Sequence, residues 1–442
     1  MTAPHSAKIL VLGAGGLIGN FLAVDLQSRG FPVTAVARKF TPAQRYILGD
    51  NAHEFAIGDA DLNALAALIR ESAADVVVNC LGTLQTVPGE SDIHDGFVVR
   101  LIAAIQSAGR SVLLVHISIP ESESADTTEF AITKRKADRR IMESGLSYAI
   151  LRPGFVWAPA AYGGSALLRA LAASPFDLPA HESLRPFEAV AVEDIADTVA
   201  FLAERVEANG PPQRAVWDVM HPAKPTVGDV VNALRRWLGT EKNVRFVPPR
   251  FLLDLGAKAG DAVALLGWRP PVRSTAIAEM RRGVTGDPSQ WIAETGITPR
   301  SFEDTLRSRP PTVQERWFGR LYLLKALIVA VLAIFWCVSG IIALVFSFKP
   351  AADILIAHGF SEAGANAATI FSSLMDISVG LAIAVRKSSR FGLGAGICVS
   401  LFYMIGAALL TPELWIEPLG ALVKTGPAIV LMLVALAISD DR

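Results

Sequence analysis

Four glycines near the start of the chain have the spacing of a phosphate-binding turn. Residues 8–19 read KILVLGAGGLIG, in which an apolar run is followed by a glycine cluster and then by a helical pattern. Glycine lets the backbone turn sharply, and the N-terminus of the following helix attracts a pyrophosphate. The order of strand, turn and helix predicts a dinucleotide site at Gly13, Gly15, Gly16, Leu17, Ile18 and Gly19. We expect a side chain at Gly16 to strain the backbone and to displace the pyrophosphate.

The next predicted strand ends in a basic residue, which bears on the kind of nucleotide. Residues 32–37 are apolar and rich in β-formers, and Arg38 and Lys39 follow them. An NAD-selective site usually has an acidic residue there for the ribose 2′-hydroxyl, whereas an arginine can pair with a 2′-phosphate. The sequence therefore favours NADP(H), with NAD(H) as the alternative. A solvated basic residue with no ligand is the simpler interpretation of Arg38.

The elements around these residues follow an alternating order. Strands and helices alternate through the first 150 residues, which predicts an α/β fold with a Rossmann-type, doubly wound parallel sheet. Further strands are expected at 75–80, 111–117 and 147–151, with helices at 97–108 and 133–143 between them. The strand ends are followed by Gly58-Asp59, Asn79-x-x-Gly82, Ser118 and Arg152-Pro153-Gly154.

The ordered combination of these strand ends with Lys134 resembles the extended and atypical short-chain dehydrogenase/reductase family. Within that family it is similar to the branch related to the nucleotide-binding accessory subunit of respiratory complex I. The resemblance covers about residues 7–306. It implies an NAD(P)-binding domain over residues 1–306, whose substrate side begins near residue 155.

The same resemblance implies a role for each matching residue. Asp59 would contact the adenine, and the backbone of Leu81-Gly82 would line the adenine ribose and the pyrophosphate. Ser118 and Lys134 would flank the nicotinamide as catalytic residues, and Pro153 would close over it.

The sequence departs from the family at the position of the proton donor. The family has a tyrosine four residues before the lysine, but this chain has Phe130 there. A phenyl ring has no ionisable proton and cannot act as a general acid. Tyr148 and Tyr162 do not have the family spacing, and His116 is interpreted as a buried structural residue. Ordinary tyrosine-dependent carbonyl reduction is therefore not expected, while hydride chemistry with another acid stays open.

The remainder of the chain has a different composition. The net charge of −1 gives no indication of a nucleic-acid partner, and the mean hydropathy of +0.40 is high for a soluble enzyme. Charged residues become sparse after a predicted linker at 307–316, which contains paired prolines. In the predicted membrane domain, 317–442, four apolar stretches are predicted to span a bilayer core of about 30 Å. They are residues 326–348, 365–385, 391–411 and 425–439, the last of which makes a span together with Lys424 and the residues before it.

Basic residues favour one orientation of these four helices. They precede the first span, fill the loop at 386–390 and follow the fourth span, all on one side. The positive-inside rule places that side, and with it the nucleotide-binding domain and the C-terminus, in the cytoplasm. The loops at 349–364 and 412–424 would face outward. No signal peptide is expected, and the three scattered cysteines indicate neither a disulfide framework nor a metal site. The predicted location is the inner, cytoplasmic membrane.

The membrane half resembles the DoxX-like family of four-helix domains. The similarity rests on residues 412–427 and on the intramembrane Asp376 before Gly380. Asp376 and Lys424 are expected to face a cavity or a partner, because a charge in a bilayer is costly. They could pair with each other, and a structural role is as compatible with the sequence as a substrate role.

Two functions remain open at this stage. One is a membrane-tethered NADP(H)-dependent oxidoreductase acting on a lipophilic substrate such as a quinone or a lipid intermediate. The other is a non-catalytic nucleotide-binding assembly or scaffold protein of the membrane, which Phe130 favours. A transporter regulated by the nucleotide is a more distant third. The sequence does not fix the oligomeric state.

Overall fold

The computed structural model describes residues 5–82, 94–122, 126–241, 244–270, 272–416, 420 and 422–439. The chain forms two compact units. The first contains residues 1–254 and 274–316, and the second contains residues 255–273 and 317–442. Residues 255–273 thus pack with the C-terminal helices although they lie within the N-terminal part of the sequence. The domain boundaries at residues 306 and 317 stay predictions.

In the described part of the first unit, nine strands form two parallel sheets. They are β1 (Ile9–Leu12), β2 (Val33–Ala37), β3 (Ala52–Glu54), β4 (Val76–Asn79), β5 (Leu113–Ile117), β6 (Ser147–Pro153), β7 (Phe155–Trp157), β8 (Ala189–Ala191) and β9 (Arg214–Val219). Seven of them make a sheet in the order β3-β2-β1-β4-β5-β6-β9, and β7 pairs with β8. All of these pairs are parallel, so the predicted doubly wound parallel sheet is confirmed.

Eighteen α-helices are found in the described residues. They are α1 (Leu17–Ser28), α2 (Pro42–Leu48), α3 (Leu62–Ser72), α4 (Asp95–Ser107), α5 (Glu129–Glu143), α6 (Gly163–Ala173), α7 (Ala180–Ser183), α8 (Val192–Glu207), α9 (Val227–Leu238), α10 (Arg250–Ala264), α11 (Ser274–Arg282), α12 (Ser289–Thr295), α13 (Phe302–Arg307), α14 (Val313–Ile341), α15 (Phe348–Ala357), α16 (Glu362–Ala384), α17 (Ser389–Leu410) and α18 (Thr425–Ala437).

Helices cover both faces of the large sheet. Alternate residues of β1 face opposite cores, since Val11 packs in one apolar cluster and Leu12 in the other. Helices α1 and α8 supply side chains such as Leu22 to the first core, and α3, α4 and α5 supply side chains such as Phe97 to the second. This double burial explains why the strands read as continuous apolar runs.

A smaller core lies beyond β6, on the predicted substrate side. It contains Trp157, Leu168 and Leu234 from β7, α6 and α9. Helix α9 begins with a capping box, in which Thr226 and Asp229 exchange side-chain and backbone hydrogen bonds. This cap fixes the start of α9 directly after Thr226.

Among the described residues, three helices are long and apolar enough to cross a membrane. They are the segments Val313–Phe346, Glu362–Ala384 and Ser389–Leu410, of 34, 23 and 22 residues. The fourth predicted span forms α18, which has 13 residues. At 1.5 Å per residue it is about 20 Å long, shorter than a bilayer core of about 30 Å. The predicted loop at 349–364 contains helix α15.

The intramembrane acid has a different partner from the one considered. Asp376 is 8% exposed on α16 and accepts a hydrogen bond of 2.8 Å from the Tyr403 hydroxyl on α17. Lys424 is exposed at the start of α18 and forms no ion pair within the described residues. Of the partners that the sequence left open for Asp376, the structure shows the Tyr403 hydroxyl, which the packing of α16 and α17 brings to it, and not Lys424.

Candidate functional site: the carboxyl edge of the parallel sheet

The turn between β1 and α1 leaves a helix N-terminus open. Gly13 has a φ of 84°, and its N–H donates to the Val36 carbonyl over 2.9 Å. Gly16 is the N-cap of α1, no side chain caps this end, and no acidic residue lies in the first turn. The first-turn N–H groups, those of Leu17, Ile18 and Gly19, are therefore available to an anion. The cradle fits the pyrophosphate of a dinucleotide.

The glycines of this turn differ in how much space is left for a side chain. A Cβ on Gly19 would lie 2.4 Å from the Gly13 carbonyl oxygen, so α1 can approach the turn only with glycine there. A Cβ on Gly15 would lie 3.2 Å from both Ala37 and the Lys39 carbonyl. At Gly16 the nearest atom would be 3.4 Å away, and its φ of −86° is ordinary. The expected backbone strain at Gly16 is wrong, and a side chain there would only fill the open space.

The other predicted site residues follow strands at the same edge of the sheet. The strand order reverses between β1 and β4, and ligands of doubly wound sheets bind outside the carboxyl ends at such a point. A Cβ on Gly13, which follows β1, would lie 3.1 Å from the carbonyl carbon of Cys80, which follows β4. The ends of these two strands therefore lie side by side. Asp59 is exposed in a short 3₁₀ turn after β3, and Pro153 is buried at the end of β6.

The end of β2 presents a free guanidinium. Arg38 is exposed and makes no hydrogen bond or ion pair within the described part of the chain. The acidic residue on the neighbouring strand is Glu54, which accepts the Phe40 N–H over 2.9 Å and pairs with Arg45 at 2.6 Å. These bonds hold the pKa of Glu54 below its usual range, with the Phe40 N–H as the largest cause. The carboxylate beside the β2 end is thus already engaged.

Lys134 reaches the site from α5 although it is almost fully buried. It is 4% exposed, and its Nζ donates to the Ile117 carbonyl over 2.9 Å and to the Leu81 carbonyl over 3.4 Å. A Cβ on Gly82 would lie 3.3 Å from this Nζ. Burial lowers the pKa of Lys134 to about 8, against the opposing effect of Asp138. The ammonium therefore stands between the ends of β4 and β5.

A buried polar network lies behind Ser118. The Asn79 Oδ1 accepts the Leu81 N–H over 3.1 Å, so its Nδ2 donates to the His116 Nδ1 over 3.0 Å. The imidazole must then carry its proton on Nε2, which is 3.9 Å from an Asp138 oxygen. Burial, reinforced by Lys134, holds the pKa of His116 well below its usual range, so the ring is neutral. The prediction that His116 is buried is confirmed.

Two arginines balance the carboxylate of this network. Asp138 is 1% exposed, and its Oδ2 accepts from Arg135 over 2.8 Å and from Arg152 over 3.2 Å. Burial raises the pKa of Asp138, and the charges of the two arginines oppose this rise. The Ser118 Oγ, the His116 Nε2 and the other Asp138 oxygen are buried and have no hydrogen-bond partner within the described residues.

A histidine that the sequence interpretation missed stands next to the substituted tyrosine position. The ring of His94 makes an edge contact with the ring of Phe130, with centroids 5.3 Å apart. His94 is 4% exposed, and a Cβ on Gly82 would lie 3.6 Å from its Cε1. His94 precedes α4 and has no motif spacing to Lys134, so no sequence signal marked it. The structure brings it to the same site as Lys134.

Two family profiles match separate parts of the chain. Residues 13–200 match the family described as NAD(P)H-binding, and residues 333–433 match the DoxX-like family. The chain joins an NAD(P)-binding Rossmann domain to a DoxX-like membrane domain. The fusion inferred from the sequence motifs is thereby confirmed.

Curated relatives of the Rossmann domain are oxidoreductases. The chain is 29% identical over 245 residues to the dTDP-6-deoxy-L-talose 4-dehydrogenase (NAD(P)(+)) of Kitasatospora kifunensis, covering 48% of this chain and 74% of that one. It is 32% identical over 176 residues to the chloroplastic divinyl chlorophyllide a 8-vinyl-reductase of Cucumis sativus, covering 34% and 39%.

Solved structures support the fold. A UDP-glucose 4-epimerase from Stenotrophomonas maltophila, with bound NAD and formylated UDP-arabinopyranose, superimposes with a TM-score of 0.53. The match covers 73% of this chain and 100% of the epimerase, at 19% identity. At that identity the likeness concerns the fold.

Proposed function

We propose that this protein is a membrane-anchored, NAD(P)H-dependent oxidoreductase. The observation that carries the proposal is the convergence of the uncapped α1 N-terminus, the buried Lys134 ammonium and Ser118 at one edge of the sheet. A bound nicotinamide nucleotide would supply a hydride to an acceptor. Gly13, Gly16 and the first turn of α1 would hold its pyrophosphate.

Lys134 would orient the nucleotide. An ammonium has three N–H donors, and carbonyls of Ile117 and Leu81 accept two of them. The third is free to donate to a ribose hydroxyl near the nicotinamide. Ser118, at the end of β5, would position the acceptor.

A reduction by hydride also needs a proton, and Phe130 has none to give. We assign the donor role to His94, because its imidazole contacts the Phe130 ring and lies beside Gly82 and Lys134. An imidazole can donate a proton, which a phenyl ring cannot do. One hydride from the nucleotide and one proton from His94 would complete a two-electron reduction, after which solvent reprotonates the imidazole.

The test of this assignment is the variant His94→Gln in the full-length protein. Loss of a positioned general acid costs about 10²–10⁴ in rate, so the variant should oxidise bound NADPH that much more slowly with unchanged NADPH affinity. The exposed His53 offers a matched control, and His53→Gln should be silent. In the His94→Gln background, Phe130→Tyr should restore part of the rate. An unchanged rate in His94→Gln would refute the assignment.

We further propose that NADP(H) is preferred over NAD(H). Arg38 is unpaired and the neighbouring Glu54 is engaged, so a 2′-phosphate would find a cation and no competing carboxylate. A charge-assisted contact contributes about 1.5–3 kcal/mol, or roughly 10- to 150-fold in affinity. Titration should show this preference in the wild type and its loss in Arg38→Ala. Equal affinities in the wild type would contradict the proposal.

The substrate we propose is lipophilic, a quinone or a lipid intermediate, because such molecules are concentrated in the bilayer that anchors the enzyme.

The protein would lie in the inner membrane with the nucleotide site in the cytoplasm, on the side of Arg386, Lys387 and Arg390. Cysteines introduced at Ser388 and Glu362 test the orientation. Label added outside intact cells should react at position 362 and not at 388, and the reverse pattern would invert the topology.

The second candidate function is a non-catalytic nucleotide-binding assembly or scaffold protein. Phe130 at the position of the proton donor is the observation that favours it. It predicts tight NADPH binding with no turnover of any acceptor, in membranes as well as in detergent.

A further inference from the structure

The turn that follows helix α10 is hydrogen-bonded to the end of the apolar helix α16. The Trp268 indole N–H donates to the carbonyl of Ala384, the last residue of α16, over 2.7 Å. The Arg386 N–H donates to the Leu266 carbonyl over 3.0 Å, and the Arg386 guanidinium lies 5.9 Å from the Trp268 ring centre. The segment 255–273 therefore sits at the end of α16, next to the basic loop at 386–390.

One face of α10 packs against the segment of chain that follows the helix. Ala257 and Gly260 are buried on this face, and a Cβ on Gly260 would lie 2.0 Å from the Val272 carbonyl oxygen. Arg273 pairs with Asp261 at 3.1 Å. The small residues and this ion pair fix which side of α10 faces outward.

The outward face is an exposed apolar stripe. At 100° per residue the stripe covers about 120° of the helix, the width of a face that normally packs against a core. Phe251 is 65% exposed, Leu255 is 59% exposed and Val263 is 41% exposed. The stripe consists of Phe251, Leu252, Leu255, Ala259, Ala262, Val263 and, just beyond the helix, Leu266.

We propose that α10 is an interfacial membrane helix, with this stripe in the acyl boundary of the leaflet at the basic end of α16. The occupant is the lipid bilayer, because the stripe from Leu255 onward belongs to the same unit as the helices that are long and apolar enough to cross it. Trp268 lies where interfacial tryptophans anchor proteins, and the exposed Lys258 can meet anionic headgroups. This inference does not depend on the proposed enzymatic activity.

Depth-dependent quenching in the full-length protein tests the proposal. Bimane is attached to Leu255→Cys or Val263→Cys, with Lys258→Cys as the control off the stripe, in a background without the three native cysteines. The protein is reconstituted in vesicles of phosphatidylcholine and phosphatidylglycerol that contain a doxyl lipid. We expect the lipid quencher to act about twofold or more strongly at the stripe positions than at 258, because only the stripe faces the acyl chains.

Three results would overturn it. Equal lipid quenching at all positions, or free access of aqueous iodide to the stripe, would place α10 outside the interface. Protection from both quenchers would mean that protein, such as a second copy, covers the stripe. If the cysteine-free background misfolds, brominated lipid is used instead to quench the tryptophan fluorescence of the native chain. The fluorescence of the wild type minus that of Trp268→Phe reports on Trp268, and this difference must be quenched for the proposal to stand.

Discussion

Substitution by alanine should affect two glycines of the β1–α1 turn differently: Gly19→Ala should lower stability, and Gly16→Ala should lower nucleotide affinity. In Gly19→Ala the added Cβ would lie 2.4 Å from the Gly13 oxygen, about 1 Å inside ordinary contact. Overpacking of this kind costs about 1–3 kcal/mol, which lowers the melting temperature by roughly 2–12 °C in a domain of this size. In Gly16→Ala the Cβ would lie at 3.4 Å, and the loss of stability should be about 1 kcal/mol or less.

The effect of Gly16→Ala should instead fall on the nucleotide. Its methyl group would occupy the space of the pyrophosphate, and weakening one charged hydrogen bond costs about 1.5–3 kcal/mol. We expect NADPH affinity to fall at least about tenfold with an almost unchanged melting temperature. The assay is nucleotide titration and thermal melting of the full-length protein in nanodiscs. Gly256→Ala, whose Cβ would meet nothing within 4 Å, is the control. Wild-type affinity in Gly16→Ala would refute the assigned cradle.

Three further variants test the buried groups of the site and its surroundings. Burial lowers the pKa of Lys134 to about 8, so between pH 8 and about 10.4 the unfolded chain binds more protons than the folded chain. The stability of the wild type should therefore rise with pH over this range, relative to that of Lys134→Met, by up to about 3 kcal/mol. The same pH dependence of melting in both proteins would contradict this. Asp138→Asn removes the carboxylate that Arg135 and Arg152 share and leaves them with Asp126 and Glu121 respectively, so it should cost about 1–3 kcal/mol in denaturant unfolding, whereas a silent variant would disprove the network. Thr226→Ala removes a helix cap and should cost about 1 kcal/mol in the same assay.

Local patterns in the sequence predicted the parts of the site that depend on short stretches of chain. The glycine turn, the apolar strands and the polar residues that follow them lie within a few positions of one another. Strand order then brings their ends to one edge, as at β1 and β4. The residue-by-residue contacts with a nucleotide stay predictions.

Contacts between distant elements could not be predicted in the same way. His116 on β5 meets Asp138 on α5, and the edge contact of His94 with Phe130 joins segments 36 residues apart in sequence. No periodicity encodes either contact. The same holds for α10, whose packing with the C-terminal helices depends on one indole hydrogen bond of Trp268 and one backbone bond of Leu266.

Helix ends in the membrane half were misjudged for a related reason. Hydropathy marks apolar residues but not where the backbone begins to turn. Lys424 is the N-cap of α18, so the helix begins at Thr425 and remains short. The Tyr403 phenol, which hydropathy treats as one residue of an apolar run, is the partner of Asp376.

The most direct test of the central claim is a single-turnover measurement on the full-length protein in nanodiscs. NADPH is bound first, the nanodiscs are then mixed with membrane extract that carries lipophilic acceptors, and the loss of reduced nicotinamide absorbance is followed. We expect oxidation of the bound nucleotide, which His94→Gln should slow and His53→Gln should leave unchanged. If the nucleotide binds tightly but stays reduced with every acceptor presented in the bilayer, the oxidoreductase proposal is contradicted and the scaffold function is favoured.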